Sequence, residues 1–388
     1  MIKLLSRLLI KNHEDFSSPI VRQRYGMLCG TIGILFNLLL FAGKFLAGYI
    51  SHSIAITADA FNNLSDAGSS IITLIGFKMA GQKADEDHPF GHGRLEYVSG
   101  LLVSMIILYM AIELIQSSVM KIITPAKLSF SPLVAGILIA SVLVKGYMAL
   151  YNHKIGSAIH SSAMKATATD SLSDTLATTV VLLATVVSHY TGFTIDGYCG
   201  VLVGLFILYA GINAAKDTVS PLLGQAPDPD FVQQITDIVM SYEGIIGIHD
   251  LIVHNYGPGR ILISLHAEVP SDGDLLTMHD MIDLIEHKLR DTLHCSAVIH
   301  MDPICVNDEE TNHLKQEVAT YLAAIDTELT MHDFRIVKGP THTNIIFDVV
   351  APYRFKMSDE ELIAAITEQI RSNNPNYFAV IEVDKKYT

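Results

Sequence analysis

Six stretches of the chain stay apolar for long enough to cross a bilayer: roughly Met27–Ile50, Ile54–Gly81, Val98–Ile123, Leu133–Tyr151, Ala163–Val187 and Gly197–Ala215. About 20 residues of helix span the ~30 Å hydrocarbon core, so each stretch predicts a transmembrane helix. Near residue 220 the pattern changes. Pro221 and the run Ala226-Pro227-Asp228-Pro229-Asp230 read as a linker and a helix start. Short alternating and amphipathic segments follow: a helix over Phe231–Tyr242, strands over Gly247–Val253 and Ile261–Val269, a helix over His279–Leu293 and a strand over Ser296–Met301. The order is αββαβ. The fold class expected is an α-helical membrane protein of six transmembrane helices carrying α+β domains.

The last 83 residues, 306–388, look like a second copy of that lobe. His249-Asp250-Leu251 recurs as His332-Asp333-Phe334, Gly257-Pro258 as Gly339-Pro340, and Ile263–His266 as Ile345–Asp348. Val298–Asp302 recurs as Val380–Asp384, and the helix Phe231–Tyr242 corresponds to about Leu314–Ala323. A near-constant offset of 82 or 83 residues predicts a tandem repeat. The expected domains are an N-terminal segment 1–24, a transmembrane domain 25–220, a first lobe 221–305 and a second lobe 306–388.

Composition agrees with this division. Only 17% of the chain is charged, against about 25% in ordinary soluble domains. Residues 1–220 carry a net charge of +2 and residues 221–388 a net charge of −16. An acidic soluble half argues against nucleic acid as a partner and suits the attraction of cations. Four cysteines without a C-x-x-C pair give neither a disulfide framework nor a zinc-finger spacing. Lys3, Arg7, Lys11, Arg22 and Arg24 precede the first span; Lys83 and Arg94 lie in loop two, and Lys154 and Lys165 in loop four. Loop one around His52 and loop five (Ser188–Asp196) have no Lys or Arg, while loop three has Lys121 and Lys127. This bias places both termini in the cytoplasm of a cell-membrane protein.

A charge at the bilayer centre costs at least about 2.5–3.5 kcal/mol and needs a reason. Span two carries Asn62 and Asp66, and span five Asp170 and Asp174, each pair four residues apart and so on one helix face. Asp59 lies near the same stripe. Facing each other, the two pairs make a four-residue oxygen site. The alternative is structural, with Asp66 or Asp174 paired to Lys44 or Lys145 only to join helices. Three carboxylates against two lysines leave a charge that a divalent cation would neutralise.

Together with the loop Asp85-Glu86-Asp87-His88-Pro89-Phe90-Gly91-His92-Gly93, these motifs resemble the cation diffusion facilitator family of divalent-metal transporters. The similarity covers about residues 20–305. The resemblance implies a homodimer with ferredoxin-like cytoplasmic lobes, and metal export in exchange for protons by alternating access. It implies a transport site of Asn62, Asp66, Asp170 and Asp174. It also implies a loop site of Asp85, His88 and His92, unless Arg94 and Glu96 pair locally and the loop is only a connector. A regulatory site would use His249, His266, His279, His300 and Asp302. The matching positions of the second lobe are His332, Asp348, Glu361, Glu382 and Asp384, read either as a second sensor site or as the surface charge of a solvated dimer buttress.

Zinc-type relatives carry His, or all Asp, where this chain has Asn62 and Asp170. Zinc favours nitrogen and sulfur, whereas an oxygen-only site suits a harder ion. The pattern resembles the manganese branch, and the expected activity is proton-coupled efflux of Mn²⁺ across the lipid bilayer. The alternatives are export of Zn²⁺, Fe²⁺ or Co²⁺, and a metal-sensing scaffold that transports nothing. The metal is the substrate, and no organic cofactor is expected. No nucleophile–base constellation or phosphate-cradling loop suggests an enzyme.

Overall fold

The structure, a computed structural model, describes residues 2–16, 18–51, 54–124, 132–191 and 196–386. His52 of the expected loop one, Lys127 of loop three and residues 192–195 of loop five lie outside them. The chain divides into two units, residues 1–225 with 255–260, and residues 226–254 with 261–388.

In the first unit α1 (Ile2–Leu9) precedes six long helices: α2 (Pro19–Ser51), α3 (Ile54–Ala80), α4 (Leu95–Ile123), α5 (Pro132–Ala158), α6 (Ser162–Thr191) and α7 (Asp196–Leu223). The shortest has 27 residues, about 40 Å of helix, enough to cross a bilayer. Among the described residues, four hold a stretch long and apolar enough to cross a membrane: Pro19–Leu46, Leu95–Ile123, Ala135–Ala158 and Gly197–Leu223. The helices α3 and α6 carry the buried carboxylates Asp66 and Asp170. Each packs along an apolar neighbour, α3 on α2 and α6 on α5, while α4 packs on α7. Outward faces remain greasy, with Leu102, Met105, Tyr109 and Ile112 of α4 exposed. Gly100 allows α4 its close approach: a Cβ there would stand 3.0 Å from the Ala163 backbone.

Two boundaries differ from the sequence reading. The helix α2 begins at Pro19, eight residues before the apolar run, since Pro suits a first helical turn. The helix α7 continues through Pro221 to Leu223 instead of ending at a linker. The proline gives up the bond to the Asp217 carbonyl, which accepts instead from the Ser162 hydroxyl at 3.2 Å.

At one end of the bundle the Arg22 guanidinium joins three elements. It pairs with both carboxylate oxygens of Glu96, one of them at 2.8 Å, and donates to the carbonyls of Ile159 (2.6 Å) and His160 (3.1 Å). Glu96 therefore pairs with Arg22 and not with Arg94, and its side chain is 1% exposed. Removing one partner of a buried pair strands the other, at about 3–5 kcal/mol. Glu96→Ala should lower the thermal midpoint of the detergent-solubilised protein accordingly, and Arg22→Met with Glu96→Leu should recover most of the loss. Equal midpoints for the single and double variants would show that the pair is not the source.

The second unit runs α8 (Pro229–Met240), β1 (Gly247–Asn255), β2 (Ile261–Pro270), α9 (Leu275–Leu293), β3 (Cys295–Ile304), then α10 (Glu309–Ile325), β4 (Thr330–Lys338), β5 (Thr343–Pro352), α11 (Asp359–Asn373) and β6 (Tyr377–Lys386). Each half is a three-stranded sheet with its second strand central. β2 pairs parallel with β3 from Ile261↔Cys295, and β5 with β6 from Thr343↔Tyr377. Alternation gives each central strand a core face: Ile263, Leu265, Ala267 and Val269 are buried in β2, and Ile345, Phe347, Val349 and Ala351 in β5. The opposite faces carry His266 and Glu268 in the first lobe and Asp348 in the second. The same backbone pattern that builds each core therefore lines up polar residues on the other side.

Candidate metal centres

Asp66, Asp170 and Asp174 lie near the middle of α3 and α6, and each offers an oxygen within 4.8 Å of the others. Asp66 and Asp170 are buried, and the Asp174 side chain is 18% exposed. Asn62 sits one turn before Asp66 at an accessible position. Lys145, at mid-length on α5, reaches into this group. Its Nζ donates to Asp66 and to Asp174, both at 2.7 Å. The pairing weighed as a structural alternative is thus made, with one lysine against three carboxylates. Lys44 instead donates to Asn63 at 2.8 Å. Buried hydroxyls continue the polar stripe along both helices, where Thr73 of α3 and Thr167 of α6 are hydrogen-bonded at 2.9 Å.

The loop residues Asp85, His88 and His92 also come together. Asp85 lies 3.4 Å from the His88 ring and 3.5 Å from the His92 ring, and the two rings are 4.5 Å apart. The backbone N–H of His88 donates to Asp85 at 2.7 Å and holds its carboxyl below the ordinary range.

In the first lobe Asp302 is the hub. His266 Nδ1 and His249 Nε2 lie 2.8 and 3.0 Å from one of its oxygens, and His300 Nε2 lies 3.2 Å from the other. Strand register explains the convergence, since His266 pairs with His300 and Glu268 with Asp302 across β2 and β3. His279 stands apart. The helix α9 starts at Leu275, capped by Asp274, which leaves His279 on its exposed face. Burial, with the neighbouring His332, pushes the His249 imidazole below its usual value, which favours the neutral form that a metal needs.

In the second lobe His332, Asp348 and Asp384 are brought together, and Glu361 and Glu382 lie outside the cluster. Glu361 closes a capping box on α11, its carboxylate accepting from the Ser358 N–H at 2.9 Å. Glu382 is the β6 partner of Asp348 in the ladder and adds to the negative field around it. Burial is the main cause that raises the Asp348 carboxyl to about 6.

Sequence reasoning missed two residues. Glu268, 7% exposed, lies 3.9 Å from His249 Nδ1. Its i, i+2 spacing from His266 on one strand face was a usable signal. Asp250 of the first lobe lies 3.4 Å from His332 of the second. Nothing in the local pattern points that far.

Comparison with known proteins agrees with this layout. The sequence model described as the cation efflux transmembrane domain matches residues 30–223, and the one described as the cation efflux protein cytoplasmic domain matches residues 227–304. An uncharacterized transporter of Methanocaldococcus jannaschii is 30% identical over 272 residues, 70% of this chain and 96% of the relative. The cation-efflux pump FieF of Escherichia fergusonii is 29% identical over 295 residues, 75% of this chain and 98% of the relative.

Proposed function

The chain belongs to the cation diffusion facilitator family of membrane metal-cation transporters, and from that premise we propose that it exports Mn²⁺ from the cytoplasm in exchange for protons. The carrying observation is the oxygen-only cluster of Asp66, Asp170 and Asp174 at mid-helix. Carboxylate oxygens suit Mn²⁺ better than zinc, and Asn62 would add a neutral carbonyl. With its carboxylates ionised and Lys145 charged, the cluster has a net charge of −2, which one divalent ion balances.

In this reading the chain is a homodimer with both termini in the cytoplasm, and residues 25–220 rock between inward- and outward-open forms. The acidic lobes, 221–305 and 306–388, sense the exported ion through the Asp302 cluster and bias that equilibrium. Protons arriving from outside replace the ion on the same carboxylates, which couples the two fluxes.

The test is metal uptake into everted membrane vesicles holding an inside-acid gradient. Mn²⁺ uptake that collapses when a protonophore removes the gradient is expected. In Asn62→His the preference should move toward Zn²⁺ by about tenfold or more, as one nitrogen ligand enters. Wild-type vesicles that accumulate Zn²⁺ in preference to Mn²⁺ would overturn the metal assignment. Vesicles that accumulate no ion would favour the sensing scaffold.

A further inference from the structure

Asn37 stands near the middle of α2 and is 1% exposed, and its Oδ1 makes no hydrogen bond among the described residues. Its Nδ2 donates to the Ser70 hydroxyl of α3 at 3.4 Å, so the unpaired oxygen sits at the end of the side chain that faces α3. A carbonyl oxygen without a donor is costly in a membrane interior, where water does not supply one. Polar groups kept at such depth ordinarily belong to a site or a path. Hydroxyls nearby avoid the cost by bonding to their own helices: Thr73 donates to the Ser69 carbonyl and Thr167 to the Ala163 carbonyl, each at 3.1 Å. The amide oxygen of Asn37 has no such recourse. It only accepts, and the N–H groups of a helix interior are already engaged.

The helix spacing puts this oxygen one turn from the carboxylate cluster. Ser70 follows Asp66 by four residues on α3, about 6 Å along the axis. Asn62, Asp66, Ser70 and Thr73 succeed one another along one face of that helix. The count from α5 agrees. Met148, one turn after Lys145, comes within 3.8 Å of where a Cβ on Gly33 would stand, and that Cβ would lie 2.9 Å from the Ser70 Oγ. Gly33 precedes Asn37 by one turn on α2, so a glycine keeps the space beside Ser70 clear of a side chain. Thr73 and Thr167, hydrogen-bonded to each other, come next, and Ser70, Thr73 and Thr167 are all buried. Neutral oxygens thus lead from the cluster towards the α3–α4 and α5–α6 ends of the helices, the cytoplasmic side in the proposed topology.

We propose, on the premise of the transport reading above, that Asn37 Oδ1 is a ligand on the ion's way in. A divalent cation arriving from the cytoplasm exchanges water for the Asn37 carbonyl and the Ser70 hydroxyl one turn before it reaches Asp66 and Asp170. Amide and hydroxyl oxygens suit hard divalent ions such as Mn²⁺. Being uncharged, they replace hydration yet hold the ion weakly, and a site of passage has to let the ion enter and then leave. A proton relay has no use for Asn37, since an amide does not titrate in this range.

The test is Asn37→Leu, which keeps the branched shape and removes the oxygen. Uptake of Mn²⁺ and of Zn²⁺ into everted vesicles is read beside equilibrium Mn²⁺ binding and the metal-free thermal midpoint of the detergent-solubilised protein. Uptake should fall about tenfold or more, while Mn²⁺ affinity stays unchanged because the carboxylates are intact. The midpoint should hold or rise, because an unpaired buried oxygen has been removed. Asn37→Asp keeps an oxygen at the same place and should keep most of the uptake. Uptake that falls only together with the midpoint, or that Asn37→Asp does not restore, would make Asn37 structural and overturn the proposal. Wild-type uptake in Asn37→Leu would overturn it as well. Wild-type vesicles that take up neither ion would instead overturn the transport reading, and the role of Asn37 with it.

Discussion

Asp174→Ala should abolish Mn²⁺ uptake into everted vesicles, with at least a hundredfold fall in rate, and leave the helix bundle folded. The reason is charge as much as geometry. Asp66, Asp170 and Asp174 together with Lys145 sum to −2 when ionised, and removing one carboxylate leaves −1, so a bound divalent ion no longer has its charge balanced. A net charge at membrane depth is costly, and the loss falls on the ion-bound form. Lys145 also loses one of its two partners and turns wholly to Asp66. The bundle should survive, because the Asp174 side chain is partly exposed and Ala is well tolerated in a helix. Asp170→Asn keeps the shape and removes one charge, so it should show most of the same loss. Wild-type flux in either variant, with expression and thermal midpoint preserved, would mean that the ion passes elsewhere.

Much of the proposed transport site could be read before any coordinates. A pair of carboxylates four apart on an apolar helix has few structural uses, and α6 displays Asp170 and Asp174 as the spacing implied. Lys145 was visible only as one of the two lysines weighed as partners of the carboxylates. Its reach to Asp66, 79 residues away on α3, depends on α5 packing on α6 while α6 in turn meets α3. In the lobes, alternation predicted the strands, and the register of β2 on β3 accounts for the meeting of His266, His300 and Asp302.

Family position failed where local chemistry competed for the same side chain. Ser358 and Glu361 are three apart ahead of an apolar stripe, a capping-box spacing, and that use claims Glu361. His279 was set at the start of a helix that begins four residues earlier, at Leu275. Asp250 was illegible for a different reason. Its partner belongs to another lobe, and only the packing of β1 near β4 brings the two together.

Lys145→Met should bind Mn²⁺ more tightly than the wild type yet transport it more slowly. The Lys145 ammonium holds two of the oxygens the ion needs, each at 2.7 Å. Charge-assisted hydrogen bonds of this kind contribute about 1.5–3 kcal/mol each, so removing the competitor and its two bonds should raise affinity by roughly a hundred- to ten-thousandfold. Without metal, the variant leaves three carboxylates with no lysine among them, a loss of about 3–5 kcal/mol for a broken buried pair. A bound ion offsets two of those three negative charges. The Mn²⁺-induced rise in thermal midpoint should therefore be much larger in Lys145→Met than in the wild type, since ligand stabilisation grows with affinity. Flux should fall because release no longer has a tethered cation to take the ion's place. Equal Mn²⁺ affinity and an equal midpoint shift in the two proteins would show that Lys145 only joins α3, α5 and α6, and that the ion never competes with it.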